Sequence, residues 1–302
     1  MSKSRFISPL RYPGGKTKMA GVIKDIILEN NLVDATYIEP FAGGAGVALY
    51  LLKNGFCNRV IINDYDKGIY AFWYSVLNYT EELCELIRNT PVNINEWYRQ
   101  REIALGDSEQ SDLLKLGFST FYLNRTNVSG IIKAGPIGGY EQKGKYKIDC
   151  RFNRGDLTSR IYDIAKYKKK ISLYNMDASF FVSRIVSKQK KASFIFFDPP
   201  YFEKGKELYS TFYEEKNHKE LYNKIRKIYK HKWIVTYDDS IEIKKLYSNI
   251  KSRDYNITYS VANTGKASET MYISENLLLP KSLKKKIVKK VENTKKWVND
   301  SR

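Results

Sequence analysis

The run Thr36-Tyr37-Ile38-Glu39-Pro40-Phe41-Ala42-Gly43-Gly44-Ala45-Gly46, continuing into Val47-Ala48-Leu49-Tyr50-Leu51-Leu52, restricts the fold more than any other part of this chain. It reads as a short strand, a glycine turn and a helix. An apolar, β-prone stretch gives way to residues that tolerate a sharp backbone turn, and then to strong helix formers. Arg59 to Asp66 (RVIINDYD) follows as a second strand ending in acids, with helical spacing over 67–78. Parallel strands need a crossover of about a dozen residues, usually a helix. The chain therefore opens as the β-turn-α-β unit of an open α/β sheet. Ser193 to Tyr201 (SFIFFDPPY) is an apolar run closed by Asp and two prolines, and reads as a buried strand stopping at a sheet edge. Helical spacing returns over 217–230, and KWIVTYDD (232–239) offers another strand ending in carboxylates. YNITYSVA (255–262) and ETMYISEN (269–276) suggest a closing antiparallel pair.

Residues 80–170 differ in character. A helical part comes first, then five glycines within 130–144 that read as a hairpin or loop-rich insert, then a basic helix ending in KYKKK. The sheet is thus split, with one domain made of 1–79 and 171–280, a smaller one of 80–170, and a lysine-rich tail at 281–302. In the tail Leu283, Ile287, Val288 and Val291 stand at helical spacing.

Composition narrows the partner. Against 33 Asp+Glu stand 52 Lys+Arg, a net charge of +19 in 302 residues, which favours a polyanion, nucleic acid before membrane. No apolar stretch approaches the roughly 20 residues of a membrane span, and the first residues lack the apolar run of a signal peptide. Cys57, Cys84 and Cys150 lie far apart with no CxxC pair, and there are two histidines, so neither a disulfide scaffold nor a metal site is expected. His218 and His231 sit in polar context and read as solvated. The reading is a reduced, intracellular, basic protein.

Two stretches carry chemistry. At Glu39 to Gly46 the glycines let backbone approach a ligand, and the helix N-terminus offers unpaired N–H groups. Asp64, at the end of the next strand, can accept hydrogen bonds from both hydroxyls of an adenosine ribose. The spacing GGAG is not GxGxxG, and a tight turn without ligand fits the same residues. At Asp198-Pro199-Pro200-Tyr201 two prolines remove two donors, so the loop presents acceptors: the Asp198 carboxylate and the Pro199 carbonyl. Such a loop suits a planar exocyclic amine, with Tyr201 stacking on its ring. PGGKT (13–17) lacks the glycine a phosphate-binding P-loop needs at the position of Leu10, and Ser8-Pro9 stands where a strand should precede it.

PLRYPGGK (9–16), EPFAGGAG (39–46), NDYD (63–66), FYLNRT (121–126) and FFDPPY (196–201) occur in this order. Together they resemble the Dam-like (D12 class) S-adenosylmethionine-dependent DNA adenine-N6 methyltransferases. The resemblance implies a Rossmann-like sheet with helices on both faces, split by a target-recognition domain. It implies S-adenosylmethionine as cofactor and double-stranded DNA as partner. A cognate restriction endonuclease is then a functional rather than a physical partner, and no membrane is involved. It puts Tyr12, Lys16, Asp64 and Asp198 on cofactor-contacting positions, with Phe41, Gly43 and Gly44 in the turn. It sets Glu39 near the methionine amino group and Asp177 near the cofactor adenine. Asp198, Pro199, Pro200 and Tyr201 become the catalytic loop, with Lys16 closing the pocket over it.

The basic residues Arg125, Lys133, Lys143, Lys145, Arg151 and Arg154, with Asn124 beside them, are the expected nucleic-acid contacts. The pattern departs from the family after FYLNRT. Enzymes that methylate GATC carry FNGL-x-R there, whereas this chain has Asn127-Val128-Ser129-Gly130-Ile131-Ile132-Lys133. Adenine methylation carries over and a GATC target does not. Methylation of cytosine N4 needs the same acceptors, but that class more often has Ser where this chain has Asp198. A DNA-binding module with a decayed catalytic core is the rival outside the enzymes, and an RNA methyltransferase lacks a recognised RNA-binding signature.

Overall fold

The computed structural model describes residues 8–11, 16–106, 112–202, 213–258, 266–281 and 283. Strands β1 (Thr36–Glu39), β2 (Arg59–Asn63), β3 (Ile171–Tyr174), β4 (Ser193–Phe197), β5 (Lys232–Asp238), β6 (Ser252–Thr258) and β7 (Lys266–Ile273) make one sheet in the order β3-β2-β1-β4-β5-β7-β6. The first five run parallel, Ile38 lying between Ile61 on one side and Ile195 on the other. β7 is antiparallel to both β5 and β6, which is the closing pair expected from the sequence.

Successive side chains of a strand point to opposite faces, and the core divides accordingly. Tyr37, Val60, Ile62, Phe194, Phe196 and Ile234 face one apolar cluster, while Ile38, Ile61, Ile195, Phe197 and Val235 face another. This double burial is why β4 is buried at every position and apolar from Phe194 to Phe197. The first face is covered by α1 (Ala20–Glu29), α2 (Gly46–Lys53) and α3 (Lys67–Asn78). The second is covered by α8 (Ala178–Phe181), α9 (Glu215–Ile225) and α10 (Ile241–Leu246). Among the described residues no helix is long and apolar enough to cross a membrane.

The segment 80–170 supplies α4 (Thr80–Asn89), α5 (Ile94–Leu105), α6 (Leu113–Thr126) and α7 (Arg154–Ala165). Side chains just outside the helices cap three of them: Asn93 accepts from the Glu96 N–H, Asp112 from Leu114, and Asn153 from Asp156. Leu83, Trp97, Phe121, Leu157 and Ile161 belong to the same apolar cluster as Ile26, Phe72 and Phe194, so the segment has no core of its own. Phe72 of α3 stacks on Phe121 of α6 with ring centres 5.6 Å apart. Close approach depends on Gly117, where an added Cβ would lie 2.5 Å from the Ala71 carbonyl oxygen of α3. Gly117→Ala is therefore expected to destabilise by about 2 kcal/mol or more, even though alanine is about 1 kcal/mol the better helix former. The midpoint of denaturant unfolding checks this, and an unchanged midpoint would show that the two helices separate freely.

The glycine-rich part between α6 and α7 forms turns with a single bridge, Asn127 to Pro136, rather than a regular hairpin. Both histidines are buried, at 1% and 3% exposure, which corrects the expectation of solvated rings. His218 Nδ1 lies 2.8 Å from the Tyr237 hydroxyl, and burial lowers this imidazole to about 4, so it is neutral. The tail beyond 283 lies outside the described residues.

Candidate active site

In an open α/β sheet the loops at the carboxyl ends of the strands diverge where the strand order reverses, and the crevice they leave takes the ligand. Here the reversal falls between β1 and β4. The two loops that the sequence singled out, 40–45 after β1 and 198–201 after β4, leave the sheet at that point side by side.

The first loop is held from three directions. Ala42 donates to the Asn63 carbonyl at 2.9 Å, and the Asn63 side chain donates to Pro40 O at 2.9 Å and Met176 O at 3.0 Å. The Trp73 indole donates to Gly43 O at 2.8 Å. Gly43 and Ala45 take positive φ, 45° and 47°, and α2 begins at the next residue. Asn63 is fully buried and was not singled out from the sequence, although it stands directly before Asp64.

Four acids surround this loop. Glu39, buried at the end of β1, accepts through Oε1 from the Tyr37 hydroxyl at 2.9 Å and the Ala48 N–H at 3.0 Å. Its Oε2 has no partner among the described residues. Burial, only partly offset by those two bonds, lifts its carboxyl to about 8. Asp64 accepts from the Gly43 N–H at 2.8 Å and the Asp66 N–H at 3.0 Å. Burial and the Asp66 charge raise it to about 7. Asp177 caps α8 through Oδ1, accepting from Ser179 and Phe180. Asn175 ties the β3 end to the β2 end by donating to Asp64 O at 2.7 Å. Phe41 packs edge-on against Tyr213, ring centres 5.6 Å apart. Gly44 lies half-buried in the turn.

The fourth acid, Asp198, is 19% exposed and leads the second loop. Its Oδ1 accepts from the Thr236 hydroxyl at 2.8 Å and from Lys16 Nζ at 3.0 Å. Oδ2 has no partner among the described residues, so it is the acceptor left to the crevice. Burial raises this carboxyl above its ordinary range, Lys16 opposes that and Glu269 adds to it. Lys16 is buried and also donates to the Tyr201 hydroxyl at 2.5 Å. Tyr201 is 6% exposed, and its hydroxyl donates to Glu269 Oε1. Pro199 is buried and Pro200 half-buried beside it. Tyr12 lies outside the described residues.

The expected nucleic-acid residues divide. Asn124 is 1% exposed, and its amide is fully committed: it accepts from the Arg11 N–H and donates to Arg11 O and Gly130 O. It is a structural clamp rather than a contact residue. Arg125 donates to Arg151 O and Pro9 O, and Arg154 to Arg88 O and Thr90 O, so both also serve the fold. Burial, with Arg11 and Arg160 adding repulsion, lowers the Arg125 guanidinium to about 10. Lys133, Lys143, Lys145 and Arg151 are exposed on the turns between α6 and α7. Val128 is exposed at the tip that follows FYLNRT, and Ser129 beside it takes a φ of 57°.

A family model described as D12 class N6 adenine-specific DNA methyltransferase matches residues 12–263. The type II methyltransferase M.MjaIII of Methanocaldococcus jannaschii is 25% identical over 284 residues, covering 88% of this chain and 89% of that protein. The type II methyltransferase M.CviBI of Paramecium bursaria Chlorella virus NC1A is 24% identical over 194 residues, 64% of this chain and 68% of the relative. Among solved structures, an rRNA methyltransferase of Streptomyces viridochromogenes superposes with a TM-score of 0.37 at 12% identity, over 87% of this chain and 86% of that one.

Proposed function

We infer the reaction from the premise that this chain belongs to the D12 class N6 adenine-specific DNA methyltransferase family. The protein is an adenine-specific DNA methyltransferase, and cytosine-N4 methylation and a decayed DNA-binding module are not favoured. The observation that carries the site assignment is the Asp198 carboxylate, held through Oδ1 by Thr236 and Lys16 with Oδ2 left to the crevice.

S-adenosylmethionine fits the four-acid loop. Glu39 keeps an unpartnered oxygen suited to the methionine ammonium, the Asp64 carboxylate suits ribose hydroxyls as an acceptor, and Asp177 follows the neighbouring strand. When bound, the cofactor supplies an electrophilic methyl group on sulfur. The adenine amino nitrogen is a poor nucleophile because its lone pair is delocalised into the ring. Hydrogen bonds from its two N–H groups to Asp198 Oδ2 and the Pro199 carbonyl draw the nitrogen toward tetrahedral geometry and free that pair. The prolines fix the loop so that both acceptors are in place before reaction. Since N6 lies inside the duplex, the target base leaves the stack, at a cost of a few kcal/mol. Exposed Lys133, Lys143, Lys145 and Arg151 supply phosphate contacts. The reaction is assigned to the cytoplasm. The type II names of both relatives support pairing with a restriction endonuclease of the same target.

Purified protein incubated with S-adenosylmethionine and unmethylated duplex DNA tests the reading, followed by nucleoside mass spectrometry and long-read sequencing. N6-methyladenine within one short sequence is the expected product. N4-methylcytosine, or no modified base, would overturn the assignment.

A further inference from the structure

Glu269 has no part in the chemistry described so far, yet it is 1% exposed and sits against the catalytic loop. Its position follows from the strand order. β7 is inserted between β5 and β6, so Glu269 lies opposite Asp238 on one side and Tyr255 on the other. Residues directly opposite in an antiparallel pair share a face, which sets the Tyr255 side chain beside the carboxylate. Both carboxylate oxygens are used. Oε1 accepts from the Tyr201 hydroxyl and Oε2 from the Tyr255 hydroxyl. Lys16 Nζ lies 3.5 Å from Oε1, 2.5 Å from the Tyr201 oxygen and 3.0 Å from Asp198 Oδ1.

One buried cation is thus shared between the buried Glu269 carboxylate and the partly exposed Asp198 carboxylate. A lysine paired with Asp198 alone would concentrate its field on that carboxylate and weaken it as an acceptor. A second carboxylate on the other side of the ammonium divides the field. The Tyr201 hydroxyl is also held by Glu269, and this fixes the last residue of the loop whose first residue is Asp198.

We propose that Glu269 is a positioning residue for methyl transfer, acting through Tyr201 and Lys16 to keep the Asp198 carboxylate anchored yet free to take a proton from the amine. The inference rests on the reading of Asp198 as the group that engages the adenine amino nitrogen. The new carbon–nitrogen bond uses the nitrogen lone pair while the methyl–sulfur bond breaks, its electron pair staying on the sulfur of the donor as a neutral thioether, so N6 then carries the positive charge and two hydrogens. One proton passes to Asp198 Oδ2 and the N–H pair returns to nitrogen, leaving neutral N6-methyladenine and a neutral carboxylic acid that releases its proton to solvent. Lys16, Glu39, Tyr37, Glu269 and Tyr255 are the titratable groups facing Asp198 from the neighbouring elements.

Glu269→Gln keeps shape and an acceptor for Tyr201 but removes the charge. It is expected to lower kcat about tenfold or more with KM for DNA and cofactor within about twofold. The acid limb of kcat/KM should move to lower pH by about 1 unit, because a carboxylate that raises the proton affinity of Asp198 has been removed. Tyr201→Phe keeps the ring and breaks the connection from the other side. If both act through one connection, the double variant is no slower than the slower single one. Wild-type kcat with an unmoved acid limb in Glu269→Gln would overturn the inference, as would losses that multiply in the double variant. If Glu269→Gln fails to fold, wild-type kcat in Tyr201→Phe would by itself overturn it. Full activity in an Asp198→Ala enzyme would instead strike the reading beneath it.

Discussion

Asp198→Ala is expected to cut methyl transfer by about 10³-fold or more, with DNA affinity held within about twofold. The carboxylate is anchored through Oδ1 and leaves Oδ2 to the crevice, whereas the exposed cations proposed to meet phosphate lie on the turns between α6 and α7. Removing it therefore acts on the reacting amine and leaves the phosphate contacts in place. Asp198→Asn separates two contributions. Asparagine keeps the volume and can still accept from Thr236, but it cannot take a proton and leaves Lys16 to Glu269 alone. Its rate should fall between those of the wild type and the alanine variant. Single-turnover assays with labelled methyl donor and a gel-shift titration measure the two quantities. An alanine variant that turns over within about tenfold of the wild type would remove Asp198 from the mechanism.

Asp64→Ala should weaken S-adenosylmethionine about 100-fold, the loss of one or two hydrogen bonds to a charged acceptor at about 1.5–3 kcal/mol each. The same carboxylate holds the N–H groups of Gly43 and Asp66, so part of the loss comes from a loosened glycine turn. Asp64→Asn retains one acceptor for those bonds and should bind between the two. The cofactor should also bind more tightly as pH rises. Glu39 and Asp64 are held near 8 and 7 by burial, so near neutral pH a large fraction is protonated in the free enzyme. The ionised forms pair with an ammonium and with hydroxyls, so binding expels protons. Affinity should climb from about pH 6 and level off above about pH 9, and Asp64→Ala should flatten the lower part of that climb. Calorimetry in buffers of different ionisation heat reads the proton release. A flat affinity across this range would contradict the assignment of both acids.

Much of the site is legible because its residues belong to local patterns. A strand ending in acid and glycine, and another ending in Asp-Pro-Pro-Tyr, are each readable within ten residues, and the strand order then brings them together. What escapes sequence reading depends on pairing across long separations. Glu269 reaches the site only because β7 enters between β5 and β6, an order that no run of residues announces. Asn63 looks like the tail of a strand until its amide is seen bridging Pro40 and Met176. Asn124 and Arg125 have the composition of DNA contacts, but their partners are backbone groups: Arg11 and Gly130 for Asn124, and Arg151 and Pro9 for Arg125. His218 is polar in sequence context and buried in space because α9 turns it toward Tyr237.

The interlocking of α3 with α6 bears on how such an enzyme acquires a new target. A chimaera that takes 80–170 from a relative brings a foreign contact surface against Phe72 and Ala71, where a single methyl group meets a carbonyl. A graft limited to 127–153 leaves that seam intact. Rewriting the exposed turns over an unaltered helical scaffold is therefore the exchange this packing tolerates, whereas exchange of the whole segment disturbs it.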